Sequence, residues 1–259
     1  MIEVHNLTFG YSATEDRQIL KGVDFAAKTG KLTALIGTNG AGKSTLLKTI
    51  MGILKGKGEI SVNGKPVSQY STKDFSSTVS YLSQDNDCKV NLSVFEVVML
   101  GRMGSMSFRV SDEDIAATQE VLERLNLQGF ASRSIMELSG GQRQLVFMAQ
   151  ALVKEPKILI LDEPTSALDL HKQFDLLTLL KNLTQENDFT TLVTLHHLDL
   201  AAMFADEIIV LKEGTVYAQG APKDIFTEAM MEDVYRVKMK IYMDDNGLPH
   251  VIPLEAIIN

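Results

Sequence analysis

Residues 37 to 45, GTNGAGKST, sit where an apolar run, LTALIG, gives way to a helix-forming one, STLLKTIMG. The pattern G-x-x-x-x-G-K-[ST] between a strand and a helix is a phosphate cradle. Gly37, Gly40 and Gly42 let the backbone wrap through Thr38, Asn39 and Ala41 with its N–H groups turned inward on anionic oxygens. Lys43 is placed to reach terminal phosphates and Ser44, followed by Thr45, to offer a hydroxyl to Mg²⁺. A glycine-rich turn that only caps a helix would not need the flanking apolar strand.

A nucleotide with Mg²⁺ also calls for a carboxylate at the end of a neighbouring strand, and ILILDEP supplies two, Asp162 and Glu163. Adjacent side chains of an extended segment point apart, so the two acids divide the work. Asp162 is the candidate for the magnesium shell and Glu163 for the base that polarises the attacking water. A second cradle lies between them and the first. In ELSGGQRQLVFMAQAL, Ser139 and Gln142 have capping-box spacing. That spacing leaves Gly140 and Gly141 unexplained, because paired glycines weaken a helix start and bare its N–H groups.

The elements that must hold these residues are legible from periodicity. Strands are expected at 2–9, 23–27, 32–37 and 79–84, with a hairpin turning at Asn63-Gly64. From 156 the chain alternates strand and helix: KILILDE, LHKQFDLLTLLKNLTQE, TTLVTLH, LDLAAMFA, EIIVLKEG and TVYAQG. Such alternation predicts a mostly parallel sheet covered on both faces. Between 85 and 154 the pattern turns helical, with Ser93 and Ser111 as N-caps and Asp114 at capping-box distance from Ser111.

Composition narrows the partners. A formal net charge of -8 argues against a chain whose main work is neutralising nucleic acid. The single cysteine, Cys88, precludes an internal disulfide and reads as a small apolar filler. The opening MIEVHNLTFGY lacks the marks of a secretion signal, and no apolar run approaches the ~20 residues that span a bilayer. A soluble chain that meets a membrane only through a partner is expected.

Together, GTNGAGKST, LSGGQ and ILILDEPTSALD closely resemble the ATP-binding cassette (ABC) ATPases along nearly the whole chain. The resemblance implies an α/β fold: a P-loop NTPase (RecA-like) core with a mostly parallel sheet, an N-terminal antiparallel β subdomain and an inserted α-helical subdomain. On that pattern 1–259 is one ABC ATPase domain. Residues 1–84 and 155–220 are its nucleotide-binding core, 85–154 its helical signature subdomain and 221–259 a C-terminal extension.

In the family two copies pair head to tail, so that Ser139, Gly140, Gly141 and Gln142 of one cover the ATP held by the other. The second cradle then answers to the partner's nucleotide. The resemblance further implies that Tyr11 stacks on adenine, with Phe9 as competitor, and that Gln84 senses Mg²⁺ and the attacking water. Asp169 would communicate across the dimer, though it also suits a helix N-cap. His196 fits the switch histidine at the terminal phosphate; its neighbour His197 stands where many relatives have aspartate, so the spacing to LDLA favours His196.

VVMLGRMG and the tail from Gln219 to Leu254 resemble the importers of ferric siderophores, haem or cobalamin. This implies a homodimer with ATP and Mg²⁺, under transmembrane permease subunits that dock beside Gln84. A substrate-binding protein belongs to such a system, no nucleic acid does, and the chain lies peripherally on the cytoplasmic face of the cell membrane. The alternative is a soluble ABC ATPase acting on ribosomes or DNA. A P-loop kinase or GTPase leaves LSGGQ without a purpose.

Overall fold

Strand β1 (Ile2–Gly10) begins an antiparallel layer: Ile2 and Val4 are buried in strand alternation, and Leu7 is buried after a register shift in which Asn6 takes φ 45°. It pairs with β2 (Gln18–Ala27) and, on its other edge, with β4 (Lys57–Val62). Before β4 come β3 (Lys31–Ile36) and helix α1 (Lys43–Ile50). The short β5 (Lys65–Pro66) closes the layer, which runs β2-β1-β4-β5. Asn63 and Gly64 carry φ of 50° and 74°, the two left-handed residues that a tight hairpin turn requires.

A computed structural model describes residues 1–11, 18–84, 91–102 and 110–257. Cys88 and part of VVMLGRMG lie outside the described residues. The chain divides into two compact units, Met1–Gln69 with Leu180–Asn259, and Tyr70–Leu179.

The second unit holds α2 (Thr72–Thr78), β6 (Val79–Leu82), α3 (Val94–Met99), α4 (Asp112–Arg124), α5 (Gly140–Leu152) and β7 (Ile158–Leu161). Strands β6 and β7 are parallel and register Val79 with Ile158 and Leu82 with Leu161. They share a unit with the helices because β6 is stitched to the end of α5. Ser80 Oγ donates to Ala151 O at 2.6 Å, and Lys154 Nζ to Val79 O at 2.9 Å. Val94, Val97, Val98, Leu122, Val146 and Met148 form the helical core. The expected capping boxes at Ser93 and Ser111 are both formed.

Helix α6 (Leu170–Glu186) contains the boundary between the units. In the first unit β3 lies between two parallel neighbours, β8 (Thr190–Thr194) and β9 (Glu207–Lys212). Every residue of β8 is buried, and all of β3 after Lys31, as expected of strands covered on both faces. Helix α7 (Leu198–Phe204) joins β8 to β9, and β10 (Thr215–Gly220) turns back antiparallel.

Beyond β10 the sequence pattern assigns no elements, and the structure has several. Short helices α8 (Pro222–Ile225) and α9 (Glu228–Met230) lead into a π-helical turn, Met231–Tyr235. An antiparallel pair follows, β11 (Val237–Met243) and β12 (Pro249–Ala256). Phe226, Met230, Met231 and Val234 bury this segment in the first unit, and such short elements leave no periodicity to read.

Candidate nucleotide-binding site

Strand β3 delivers its last residue, Ile36, fully buried, and the chain then turns through GTNGAGK into α1. Gly37 has φ 147°, and a Cβ there would fall 2.2 Å from Leu211 O, so the loop starts where no side chain fits. Gly42, at φ 104°, is the N-cap of α1 and supplies no side-chain cap. The first N–H groups of α1 are therefore left to an anionic ligand, at the positive end of the helix dipole. A Cβ on Gly40 would meet nothing within 4 Å, so the tip of the loop is open.

Lys43 is 7% exposed and folds back over the loop, donating to Gly37 O at 2.7 Å and to Thr38 O at 3.0 Å. Its ammonium is thus poised in the concavity. Ser44 and Thr45, half-buried, follow on the first turn of α1. Phe9 and Tyr11 stand edge to face with centroids 5.0 Å apart. Tyr11 is 71% exposed, whereas Phe9 is half-buried in β1. His196 and His197 are both exposed between β8 and α7. His197 is the α7 N-cap, which leaves His196 the residue nearer the strand end.

In the second unit, the apolar strand β7 ends at Leu161 and puts Asp162 at 1% exposure. The next residue bends sharply: Glu163 has φ 51°, a left-handed conformation that costs a non-glycine residue about 1–3 kcal/mol. Gln84 Nε2 donates to Glu163 Oε2 at 2.7 Å, so two residues 79 apart in sequence meet at the candidate base. After Glu163 a turn leads to Asp169, whose Oδ1 accepts from Lys172 N at 3.0 Å as the cap of α6. Gln173, unremarked in the sequence, is buried and donates to Thr165 O and Leu168 O at 3.2 and 2.9 Å. It holds that turn in shape; a lone polar residue on the buried side of α6 was its only sequence signal.

The second cradle resolves its two glycines differently. Ser139 Oγ accepts from Gln142 N at 3.3 Å and Gln142 Oε1 from Ser139 N at 3.0 Å, a complete capping box at the start of α5. A Cβ on Gly141 would lie 2.9 Å from Ala167 O, so packing on the turn before Asp169 demands that glycine. Gly140 meets nothing within 4 Å. Of the two glycines, packing among the described residues accounts for Gly141 and not for Gly140.

Known proteins match this arrangement. The description of the ABC transporter family matches residues 20–166. The iron(3+)-hydroxamate import ATP-binding protein FhuC of Bacillus subtilis strain 168 is 37% identical over 246 residues, covering 94% of this chain and 90% of FhuC. A structure of an inward-facing conformation assigned to a metal-chelate type ABC transporter superposes with a TM-score of 0.82 at 30% identity. It covers 98% of this chain and 97% of that one. The ATP-binding cassette MJ0796, seen as a dimer in a post-hydrolysis state with ADP and Pi, gives 0.77 at 29% identity over 86% of this chain and 99% of its own. The fold, the phosphate loop and these similarities lead to one conclusion: the chain belongs to the ABC transporter family, as one of its ATP-binding, ATP-hydrolysing subunits.

Proposed function

We propose that the chain energises import of a metal chelate, a ferric siderophore, haem or cobalamin, as a homodimer under two permease subunits with a substrate-binding protein outside. The observation that carries this reading is end-to-end similarity to a hydroxamate import subunit, at 94% of one chain and 90% of the other. The same extent of similarity favours an importer over a soluble machine working on ribosomes or DNA. No helix among the described residues is long and apolar enough to cross a membrane, in keeping with a peripheral subunit on the cytoplasmic face.

In this reading Tyr11 stacks on the adenine, and the amides from Gly37 to Thr45 with Lys43 hold the phosphate chain. Ser44 and Asp162 would hold Mg²⁺, with Gln84 completing the shell. One hydroxyl and one buried carboxylate suit a hard cation that keeps water and phosphate oxygens as its other ligands. Bound there, the ion neutralises charge developing on the transferred phosphoryl group.

Glu163 accepts the proton of the attacking water. Its bond to Gln84 ties the base to the segment beside which a permease helix docks, so seating of the permease and readiness for hydrolysis are linked. His196 bonds the terminal phosphate. Ser139, Gly140, Gly141 and Gln142 close over the partner's ATP while Asp169 meets the other subunit. Closing the dimer on two ATP molecules and opening it after hydrolysis supplies the stroke.

The test is uptake. Deleting the chain should abolish accumulation of at least one labelled chelate among a ferric hydroxamate, haem and cobalamin, with rescue by the natural chain and not by Lys43→Ala. Undiminished uptake of all three contradicts the proposed cargo.

A further inference from the structure

The turn between β9 and β10 has no place in the roles given above, yet it bonds to the phosphate loop directly. Glu213 and Gly214 carry φ of 49° and 84°, the two left-handed residues in succession that a tight hairpin turn requires. Thr215 Oγ1 donates to Lys212 O at 3.0 Å and closes the turn. Gly214 lies between two other segments. Its N–H donates to Ala41 O at 3.1 Å, and its carbonyl accepts from Lys21 N of β2 at 2.8 Å. A Cβ there would fall 2.0 Å from Ile19 O, so only glycine brings the turn this close to β2.

What this bond does to the loop follows from the rigidity of the peptide group. Ala41 C=O and Gly42 N–H belong to one planar trans unit, in which they point in opposite directions. Holding the carbonyl on Gly214 therefore fixes Gly42 N–H on the other side of that unit, away from the β9–β10 turn. Gly42 is the N-cap of α1, so the amide aimed in this way directly precedes the unsatisfied first N–H groups of the helix. Ala41 is in no position to let the unit rotate back: it is 4% exposed, and its own N–H donates to Thr38 O at 3.2 Å. Strand β2 backs the same place, since a Cβ on Gly42 would meet Leu20 Cδ2 at 3.2 Å and Ile19 Cγ2 at 3.3 Å.

We propose that Gly214 is a positioning residue for nucleotide binding: its N–H holds the Ala41 carbonyl and thereby turns the Gly42 N–H toward the phosphate chain. This rests on the loop from Gly37 to Thr45 being the ATP site. Replacing Gly214 by glycolic acid in the full chain, through nonsense suppression, puts an ester oxygen where the N–H was and adds no side chain. Binding of ADP with Mg²⁺, measured by calorimetry, should weaken by roughly 3- to 10-fold, the span of one neutral hydrogen bond. KM for ATP should rise in step, with kcat at saturation unchanged. The same replacement at Gly247 removes a comparable turn bond, Gly247 N to Asp244 O at 2.9 Å between β11 and β12, and should leave ADP affinity as it is.

Unaltered ADP affinity in the Gly214 ester overturns the proposal, and so does an equal loss in the Gly247 ester, which would reduce the effect to general loosening. Should the Gly214 ester fail to fold, amide exchange in the natural chain decides. Bond and ligand favour each other reciprocally, so ADP with Mg²⁺ should slow exchange at Gly214 by the same 3- to 10-fold and leave Gly247 unchanged. Exchange at Gly214 that ignores the nucleotide, or slows no more than at Gly247, overturns the proposal. Lys43→Ala measured alongside separates the two readings. If it still binds and hydrolyses ATP, the site itself is misplaced; if it is inactive while the Gly214 ester binds normally, only the role of Gly214 fails.

Discussion

Glu163 shows how a single residue carries both strain and function. Its left-handed backbone is unfavourable, and it is kept there while its carboxylate accepts from Gln84 at 2.7 Å. Glu163→Gln leaves the phosphate loop intact and preserves a polar partner for Gln84, so ATP affinity should stay within about twofold while turnover falls by about 10²–10⁴, the usual worth of a general base. Equilibrium ATP binding and steady-state phosphate release check this, and undiminished release removes Glu163 from the chemistry. The acids Asp162 and Glu163, with Lys43 and Ser44, were legible because their types and spacing answer to phosphate and magnesium chemistry. Gln173 was not legible. It acts through the backbone carbonyls of Thr165 and Leu168 in an irregular turn, and one glutamine among many carries no pattern.

At the scale of elements, the helix starts were read from their caps, and the two consecutive glycines of α5 separate stability from function. Gly140→Ala meets no atom within 4 Å and should stabilise α5 slightly, by less than the roughly 0.5–1 kcal/mol of a mid-helix exchange because Gly140 is its first residue. A methyl group at Gly141 falls 2.9 Å from a backbone oxygen that cannot swing aside, and overpacking of that kind costs about 1–3 kcal/mol. Thermal melts should therefore move in opposite directions for the two variants. Turnover should fall in both if, as proposed, Gly140 and Gly141 close over the partner's ATP.

Helix α4 offers a pH signature. Asp114 is buried at 7% exposure, and the Ser111 hydroxyl, the Arg102 guanidinium at 2.5 Å and the Ser111 amide together lower its carboxyl from 3.8 to about 2. A depressed folded value stabilises the fold above the unfolded pKa and is lost as pH falls through the folded one. Asp114→Asn should accordingly melt below the natural chain at neutral pH, and the gap should shrink between about pH 4 and pH 2. A gap independent of pH across that window would assign the effect to packing alone. The elements after residue 220 escaped the sequence because the turns there are three to five residues long and the β11–β12 pair keeps most of its apolar residues partly exposed.

At the scale of the whole molecule, the parallel sheet around β3 and the antiparallel layer were both foreseeable, the first from continuous apolar runs and the second from alternation and the Asn63-Gly64 turn. The compact division was less so. β6 is fixed to α5 by hydrogen bonds from Ser80 and Lys154, which no pattern of hydrophobicity encodes. The openness at Gly140 belongs to this scale too, since among the described residues a Cβ there would meet no atom within 4 Å. A second copy uses that opening, if each cradle is half of a shared site.

Mixing two inactive chains measures this directly. Lys43→Ala disables the phosphate loop and Ser139→Arg blocks the second cradle, so a heterodimer of the two keeps one intact pair of cradles and one doubly damaged pair. Turnover in an equimolar mixture should return to about a quarter of the natural rate, since half the dimers are mixed and each has one working site. Purified heterodimers that bind ATP yet remain as inactive as either parent would contradict the shared site.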